Sequence, residues 1–257
     1  MTELTFLGTG TSQGVPVIAC PCPVCRSCDP HDKRLRTSAL VRSGNTTVAI
    51  DAGPDFRQQM LRAGVQRLDA IVLTHEHKDH TGGIDDVRAF NAAMRRPMEI
   101  YAEERVMQAV RKDFDYAFGE HKYPGAPEID LVRIDERTPF SIGALRITPV
   151  RGLHYRLPVL GFRINNLAYL TDFNHLDYAE IEKIRGVEVL VINALRREPH
   201  ISHFTLNEAI EVSGKVGANR TYLTHISHQM GFAAEVGPEL PPGVFLAYDG
   251  LTINVND

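Results

Sequence analysis

Ile71-Val72-Leu73-Thr74-His75-Glu76-His77-Lys78-Asp79-His80 is the stretch whose reading decides the fold. It opens in the apolar run from Ala70 to Leu73, which reads as a buried strand. Three histidines and one aspartate then fall within six positions. The strand end holds the first imidazole, and a tight turn throws the next ligands in different directions. His75 and His77 face one point, Asp79 and His80 another. Imidazole together with carboxylate suits Zn, Mn or Fe. A polar loop after a strand is ordinarily only solvated. Four ligand-type residues at this spacing instead predict half of a two-metal hydrolytic site.

The 257 residues suffice for one large domain or two small ones, and 43% apolar content supports a sizeable core. No apolar run reaches the length that spans a bilayer, so no membrane association is expected. The chain enters Leu4-Thr5-Phe6-Leu7-Gly8 without a charged leader or cleavage site, and a cytoplasmic location is expected. A net charge of −4 counts against a broad basic surface for nucleic acid, while leaving room for a local phosphate pocket. All four cysteines crowd between Cys20 and Cys28 as C-x-C-x2-C-x2-C. In a cytosolic chain that reads as a metal site rather than as disulfides. Either Cys20, Cys22, Cys25 and Cys28 together hold one Zn, or three of them do so with a His from elsewhere. The bland alternative is a set of free thiols.

Along the chain, Glu3–Leu7 reads as a first strand, followed by Gly8-Thr9-Gly10-Thr11-Ser12-Gln13-Gly14. The glycines do not match the dinucleotide fingerprint, and a turn is favoured over a ligand-binding loop. Ser38–Arg42 and Thr46–Ile50 form a hairpin ending in Asp51-Ala52-Gly53. Pro54 then opens a helix with Phe56, Met60 and Leu61 on its apolar face, stopped by Gly64. Ile84, Val87 and Met94 predict a helix from Gly83 to Met94, its N-terminus carrying His80 and aiming its dipole at the metal site. Met98–Tyr101 is a strand and Ala102–Lys112 a helix. Phe114–Pro127, which contains the unassigned His121, has no period. Leu145–Val150 is a strand with His154 just beyond it, and Leu160–Ile164 pairs with Leu167–Leu170 across Asn165-Asn166. That hairpin ends at Asp172. A helix at Leu176–Ile184 and a buried strand at Val187–Ile192 follow. Thr205-Leu206-Asn207-Glu208 is a capping box, which puts His203 just outside a helix N-terminus, a suitable place to meet an anion. Thr221–Thr224 is a strand ending in His225-Ile226-Ser227-His228, and Phe245–Tyr248 and Leu251–Val255 close the chain as strands.

An internal echo links Asn45–Asp51 with Asn166–Asp172, and Val72–His75 with Tyr222–His225. It predicts two similar β-rich halves packed sheet on sheet, with helices outside and the functional residues where the strands end.

With these motifs in place, the chain resembles the metallo-β-lactamase-fold hydrolases over essentially its whole length. The resemblance implies an α/β (α+β) fold: one domain over 1–257, a four-layer αββα sandwich of two mixed sheets, and a dinuclear centre of Mn or Zn. One metal would take His75, His77 and His154, the other Asp79, His80 and His225, with Asp172 bridging. The cysteine loop, Thr224-His225-Ile226-Ser227-His228-Gln229 and Tyr248-Asp249-Gly250 are similar to the phosphodiesterase accessory to the carbon–phosphorus lyase pathway. That likeness implies a structural Zn on Cys20, Cys22, Cys25 and His228, leaving Cys28 over and the all-cysteine alternative open. Ser202-His203-Phe204-Thr205 matches a catalytic His of that phosphodiesterase and of the tRNA 3′-end-processing endonucleases.

The implied activity is metal-dependent hydrolysis of a small phosphodiester, cyclic or linear, on a nucleotide or a sugar. The attacking hydroxide would be bound at the dinuclear centre and oriented by Asp79. His203 would contact the phosphoryl oxygen or protonate the departing alkoxide. The rival is the tRNA 3′-end-processing endonuclease, disfavoured by the acidic charge and the lack of a Gly/Pro-rich arm. Thioester or lactam hydrolysis ranks third. Arg151, Arg156, Arg196 and Arg197 are candidate substrate contacts, and a homodimer would be ordinary.

Overall fold

The structure is a computed structural model that describes residues 1–119 and 122–256. His121 lies outside the described residues. One sheet contains β1 (Thr2–Gly8), β2 (Ser38–Ser43), β3 (Thr46–Ile50), β4 (Ala70–Val72), β5 (Met98–Ala102), β6 (Ile129–Arg133) and β14 (Thr252–Val255), in the order β14-β1-β2-β3-β4-β5-β6. The other contains β7 (Phe140–Ile142), β8 (Leu145–His154), β9 (Leu157–Ile164), β10 (Leu167–Leu170), β11 (Val189–Asn193), β12 (Arg220–Thr224) and β13 (Val244–Leu246), in the order β13-β12-β11-β10-β9-β8-β7. Both sheets follow one plan. From β14 to β3 and from β7 to β10 the ladders are antiparallel. From β3 to β6 and from β10 to β13 they are parallel.

The duplication matches β3 with β10, so the echo between Asp51 and Asp172 is topological. The second echo is not. β4 is the parallel neighbour of β3, whereas β12 lies two strands from β10. The similarity of Val72–His75 to Tyr222–His225 therefore reflects the shared demand on a buried strand that ends in a ligand.

The helices are α1 (Pro23–Arg26), α2 (Phe56–Arg62), α3 (Lys78–Thr81), α4 (Arg88–Met94), α5 (Glu104–Asp113), α6 (Tyr178–Ile184), α7 (Leu206–Val216) and α8 (Ala233–Val236). Three apolar clusters separate the layers. Leu4, Phe6, Val41, Ile50, Ile147, Phe162, Tyr169 and Val191 fill the space between the sheets. Leu7, Leu40 and Ile100 pack with Phe56, Phe90 and Val106 on one outer face, and Leu170, Leu190 and Leu223 pack with Ile181 and Val212 on the other. The strand period of two decides which side chain enters which layer. Ala70 and Val72 face the opposite sheet, while Ile71 and Leu73 face the helices. Burial on both faces is why β4 is a continuous apolar run. Each fully buried Val, Leu or Ile contributes about 1.5–3 kcal/mol.

Three expectations need correcting. α2 begins at Phe56, not Pro54. The Asp55 carboxylate is drawn to Arg36, accepting from its backbone N at 2.8 Å, and Leu61 is exposed rather than packed. The expected helix from Gly83 to Met94 is a 3-10 turn at Ile84–Val87 followed by α4. Positions i and i+3 align in a 3-10 turn too, so Ile84 and Val87 enter the core either way and the pattern cannot separate the two. His80 belongs to the separate single-turn α3. The dipole of α4 is therefore not aimed at the site through His80. Finally, β8 continues through His154, which therefore ends the strand rather than following it.

Candidate active site

The site lies where strands of both sheets end. Asp51 directly follows β3 and Asp172 lies two residues past β10, each in the left-handed region at φ 63°, and His225 directly follows β12 at φ 55°. These are non-glycine residues in a sparsely populated conformation, held there by their surroundings. The segment after β3 is laced to the ligand loop after β4. Ala52 N donates to His80 O at 2.7 Å, and Gly83 N donates to Ala52 O at 2.8 Å. Gly53 has to be glycine, because a Cβ there would stand 1.9 Å from Asp79 O.

His75, His77, Asp79, His80, His154, Asp172 and His225 converge from these ends. Donor atoms of His75, His77 and His154 lie within 4.8 Å of one another, as do those of Asp79, Asp172 and His225, and those of His75, His80 and Asp172. Asp172 is common to two of these trios. His80 Nε2 lies 3.2 Å from carboxylate oxygens of both Asp79 and Asp172, and His225 Nδ1 lies 3.1 Å from Asp172 Oδ2. The ring centroids of His75 and His77 are 4.6 Å apart, and those of His77 and His154 5.1 Å.

The donor set fits cations. Nε2 of His75, His80 and His225 and Nδ1 of His203 are buried and make no hydrogen bond among the described residues. One such orphan costs about 1–3 kcal/mol. A cluster of them interleaved with carboxylates is the donor chemistry of borderline divalent ions. The far sides of the rings are fixed. His80 Nδ1 donates to Asp51 Oδ2 at 2.7 Å. The Thr74 hydroxyl donates to Asp51 at 2.9 Å and so accepts from His75 Nδ1 at 3.0 Å. His154 Nδ1 donates to Ser202 O at 2.8 Å. In each case the proton is held on Nδ1, and the Nε2 lone pair is left for the cup. Asp51 is therefore the hub that orients two ligands, directly and through Thr74. In sequence Asp51 is a strand end that echoes Asp172, and nothing local assigns it a role. On the opposite side, the Asn193 carboxamide bonds both N and O of Phe173 and so anchors the strand end that carries Asp172.

His203 sits on the wall of the same cup. Its Nδ1 is 3.7 Å from Asp172 Oδ1, and its ring is 4.6 Å from that of His154 and 4.8 Å from that of His225. Burial and then the neighbouring His225 push its pKa down to about 2. Burial disfavours charge on His80 as well, but Asp172, Asp79 and Asp51 lift it well above the ordinary imidazole value, so a cation held in the cup would take the place of a proton on His80 Nε2. His203 also shares a trio with His154 and Asp172, so its position allows ligation as well as contact with substrate.

The cysteine loop makes a second cluster. Cys20, Cys22, Cys25 and His228 bring their donor atoms within 4.8 Å of one another. His228 Nδ1 is 3.4 Å from Cys20 Sγ and 3.2 Å from Cys22 Sγ. Cys28 is exposed and stands outside the cluster. Cys25 N donates to Cys22 Sγ and Val17 N to Cys25 Sγ, both at 3.4 Å. The hydrogen bond to His228 lowers the Cys22 thiol to about 6, while burial pushes Cys25 up to about 11. The Gly8–Gly14 stretch is a structural turn: Ile226 N donates to Thr9 O and Thr11 N to Ile226 O, joining it to the segment between His225 and His228.

Three of the candidate arginines are engaged elsewhere. Arg151 pairs with Glu103 and Glu136, Arg197 with Glu239, and Arg196 bonds Gln229 Oε1 at 2.7 Å. Only Arg156 of the four has no ion pair or hydrogen bond among the described residues.

Sandwich topology and the cup of imidazoles together leave one class: a hydrolase of the metallo-β-lactamase fold. The family described as Beta-lactamase superfamily domain matches residues 46–226, and the chain belongs to that family. It is similar to a crystal structure described as a new diphosphatase from the PhnP family, with 39% identity and a TM-score of 0.92 over 98% of this chain and 96% of that one. A protein of Porphyromonas gingivalis (strain ATCC BAA-308 / W83) named octanoyltransferase is 42% identical over 98% of this chain. The match takes in 51% of that protein, so the chain spans about half its length. A ribonuclease Z of Mycobacterium sp. (strain KMS) is 24% identical over 88% of this chain and 84% of that protein. No described helix is long and apolar enough to cross a membrane.

Proposed function

We propose that this chain hydrolyses small phosphodiesters of nucleotides or sugars, diphosphate-bridged esters included. The observation that carries the reading is His203, a buried imidazole outside the expected ligand set yet against Asp172, His154 and His225. His75, His77 and His154 would hold one divalent ion of the Mn or Zn type and Asp79, His80 and His225 a second, with Asp172 between them. Such ions, when bound, bring the pKa of a coordinated water toward neutrality and stabilise charge on phosphoryl oxygens. The Asp79 carboxylate orients the attacking water. The water oxygen bonds to phosphorus as the ester P–O bond breaks, and the proton the water gives up ends on the departing oxygen. Kept neutral by burial, His203 donates its ring N–H to a phosphoryl oxygen, or relays that proton to the departing oxygen. His228, three residues beyond His225, ties the ligand segment to the cysteine cluster, where a structural zinc would brace it.

The likeness to the diphosphatase supports P–O chemistry. Octanoyl transfer is not carried over, because the alignment leaves half of that relative unmatched. The tRNA 3′-end-processing reading keeps support from the ribonuclease Z relative, and the net charge of −4 counts against it.

The test is turnover of bis(p-nitrophenyl) phosphate by metal-depleted protein reloaded with Mn or Zn. Metal-dependent release with p-nitrophenyl phosphate left intact supports the reading. No release from a fully loaded protein overturns it and moves precursor tRNA to first place. His203→Ala should lower kcat with metal content unchanged. Loss of metal in that variant would make His203 a ligand.

A further inference from the structure

The hairpin joining β8 to β9 at the mouth of the cup turns in only two residues, Tyr155 and Arg156, because His154 pairs directly with Leu157. Two-residue hairpin loops require a left-handed φ at their first position and ordinarily place Gly, Asn or Asp there. Tyr155 occupies it, at φ +58°. An aromatic residue is strained in that region. No burial offsets the strain, since Tyr155 is 51% exposed.

The tip is nevertheless held firmly. Tyr155 N donates to Asn174 Oδ1 at 2.8 Å, and Asn174 Nδ2 donates to Ile201 O at 3.0 Å. With the bond from His154 Nδ1 to Ser202 O, the tip is fixed to the loop that carries His203 and to the strand end that carries Asp172. The Arg156 guanidinium lies over one face of the Tyr155 ring, 5.2 Å from its centroid. It is exposed, with no carboxylate partner among the described residues. The result is an exposed aromatic ring beside an uncommitted cation, one residue from His154.

We propose that Tyr155 and Arg156 are the specificity platform of the site, with the Tyr155 ring stacking on the nucleobase of a nucleotide phosphodiester and Arg156 attracting its anionic end. The inference rests on the phosphodiesterase reading and narrows its substrates to esters that carry a base. Stacking on an aromatic ring tolerates any base, so the platform selects base-bearing over base-free esters rather than one base over another. Arg156, stacked by cation–π attraction, keeps the ring in place while remaining free to face an anion.

The experiment compares 2′,3′-cyclic AMP with base-free ribose 2,3-cyclic phosphate on metal-loaded wild type, Tyr155→Gly, Tyr155→Phe and Arg156→Ala. Removal of the stacking ring should raise KM for the cyclic nucleotide about tenfold. The kcat should change little, and kinetics on the base-free ester should be unaffected. Tyr155→Phe should keep the wild-type KM, and Arg156→Ala should raise it for both esters. Glycine accepts φ +58° without strain, so the Tm of Tyr155→Gly should hold or rise. Raised KM together with an undiminished Tm marks a residue kept for binding. An unchanged KM in Tyr155→Gly, or equal kinetics of wild type on both esters, overturns the platform and leaves the phosphodiesterase reading standing. Wild type inert toward every phosphodiester overturns both.

Discussion

Asp51→Asn is the most informative perturbation away from the ligands themselves. Asp51 is fully buried and accepts from Thr74 N at 2.8 Å, the Thr74 hydroxyl at 2.9 Å and His80 Nδ1 at 2.7 Å. Asparagine has the same shape but offers one acceptor atom and one donor. If its oxygen faces Thr74, its NH2 faces His80 Nδ1 and drives the imidazole proton to Nε2, removing the lone pair aimed at Asp79 and Asp172. If it flips, the NH2 opposes Thr74 N–H and leaves a buried donor unsatisfied, which costs about 1–3 kcal/mol. The Thr74 hydroxyl keeps an acceptor in either orientation, since it lies 3.1 Å from the Oδ1 position and 2.9 Å from the Oδ2 position, so His75 is perturbed less than His80. Substituting such a ring-orienting partner lowers metal affinity roughly 10–100-fold. The expected outcome is a loss of about 1–3 kcal/mol in urea unfolding of the metal-depleted chain, with Zn binding weakened chiefly at the position that takes His80, whose Nδ1 proton the carboxylate holds. Calorimetric titration measures the affinities, and imidazole 15N spectra of the Zn-loaded protein report the His80 tautomer. Unchanged affinities with the proton still on His80 Nδ1 would refute the relay.

Three further outcomes follow from the geometry. Cys28→Ser should leave metal content unchanged and His228→Ala should lower it by one equivalent, read by elemental analysis, because His228, unlike Cys28, has its donor atom against Cys20 and Cys22. Gly53→Ala drives a Cβ to within 1.9 Å of Asp79 O, so it should destabilise by about 1–3 kcal/mol or more in urea and displace Asp79. Tyr101 should titrate late in absorbance at 295 nm. Burial, and then the hydrogen bond to Glu99, push its phenol up to about 12. The folded value lies above the unfolded value of about 10, so its contribution to stability is intact below that pH and is lost as pH rises toward 12. Glu99→Gln should bring the titration earlier.

Much of the fold was legible because strand burial leaves a period-two or continuous apolar signature. β3, β4, β10 and β12 carry it, and each ends in the residue that the site uses or that orients it. The failures have local causes. Ile84 and Val87 satisfy α and 3-10 spacing alike, so spacing alone does not separate the 3-10 turn from the helix that follows it. Pro54 reads as the first residue of a helix, and only the contact of Asp55 with Arg36 shows why α2 starts later, at Phe56. Arg151 looks like a substrate contact until Glu103 and Glu136 come to it from distant parts of the chain.

The sequence by itself singled out the imidazoles and carboxylates of the candidate site and the strand ends that carry them, because an H-x-H-x-D-H run directly after a buried strand crowds donor side chains at one place. Only the tertiary structure decided that His228 rather than Cys28 lies against Cys20 and Cys22, that Asp51 holds the rings of His75 and His80, and that Tyr155 bears strain at the mouth of the site. Each of these depends on a donor meeting an acceptor, or a loop meeting its anchor, across a separation in sequence. Local spacing carries no information about such partners until the two sheets close on each other.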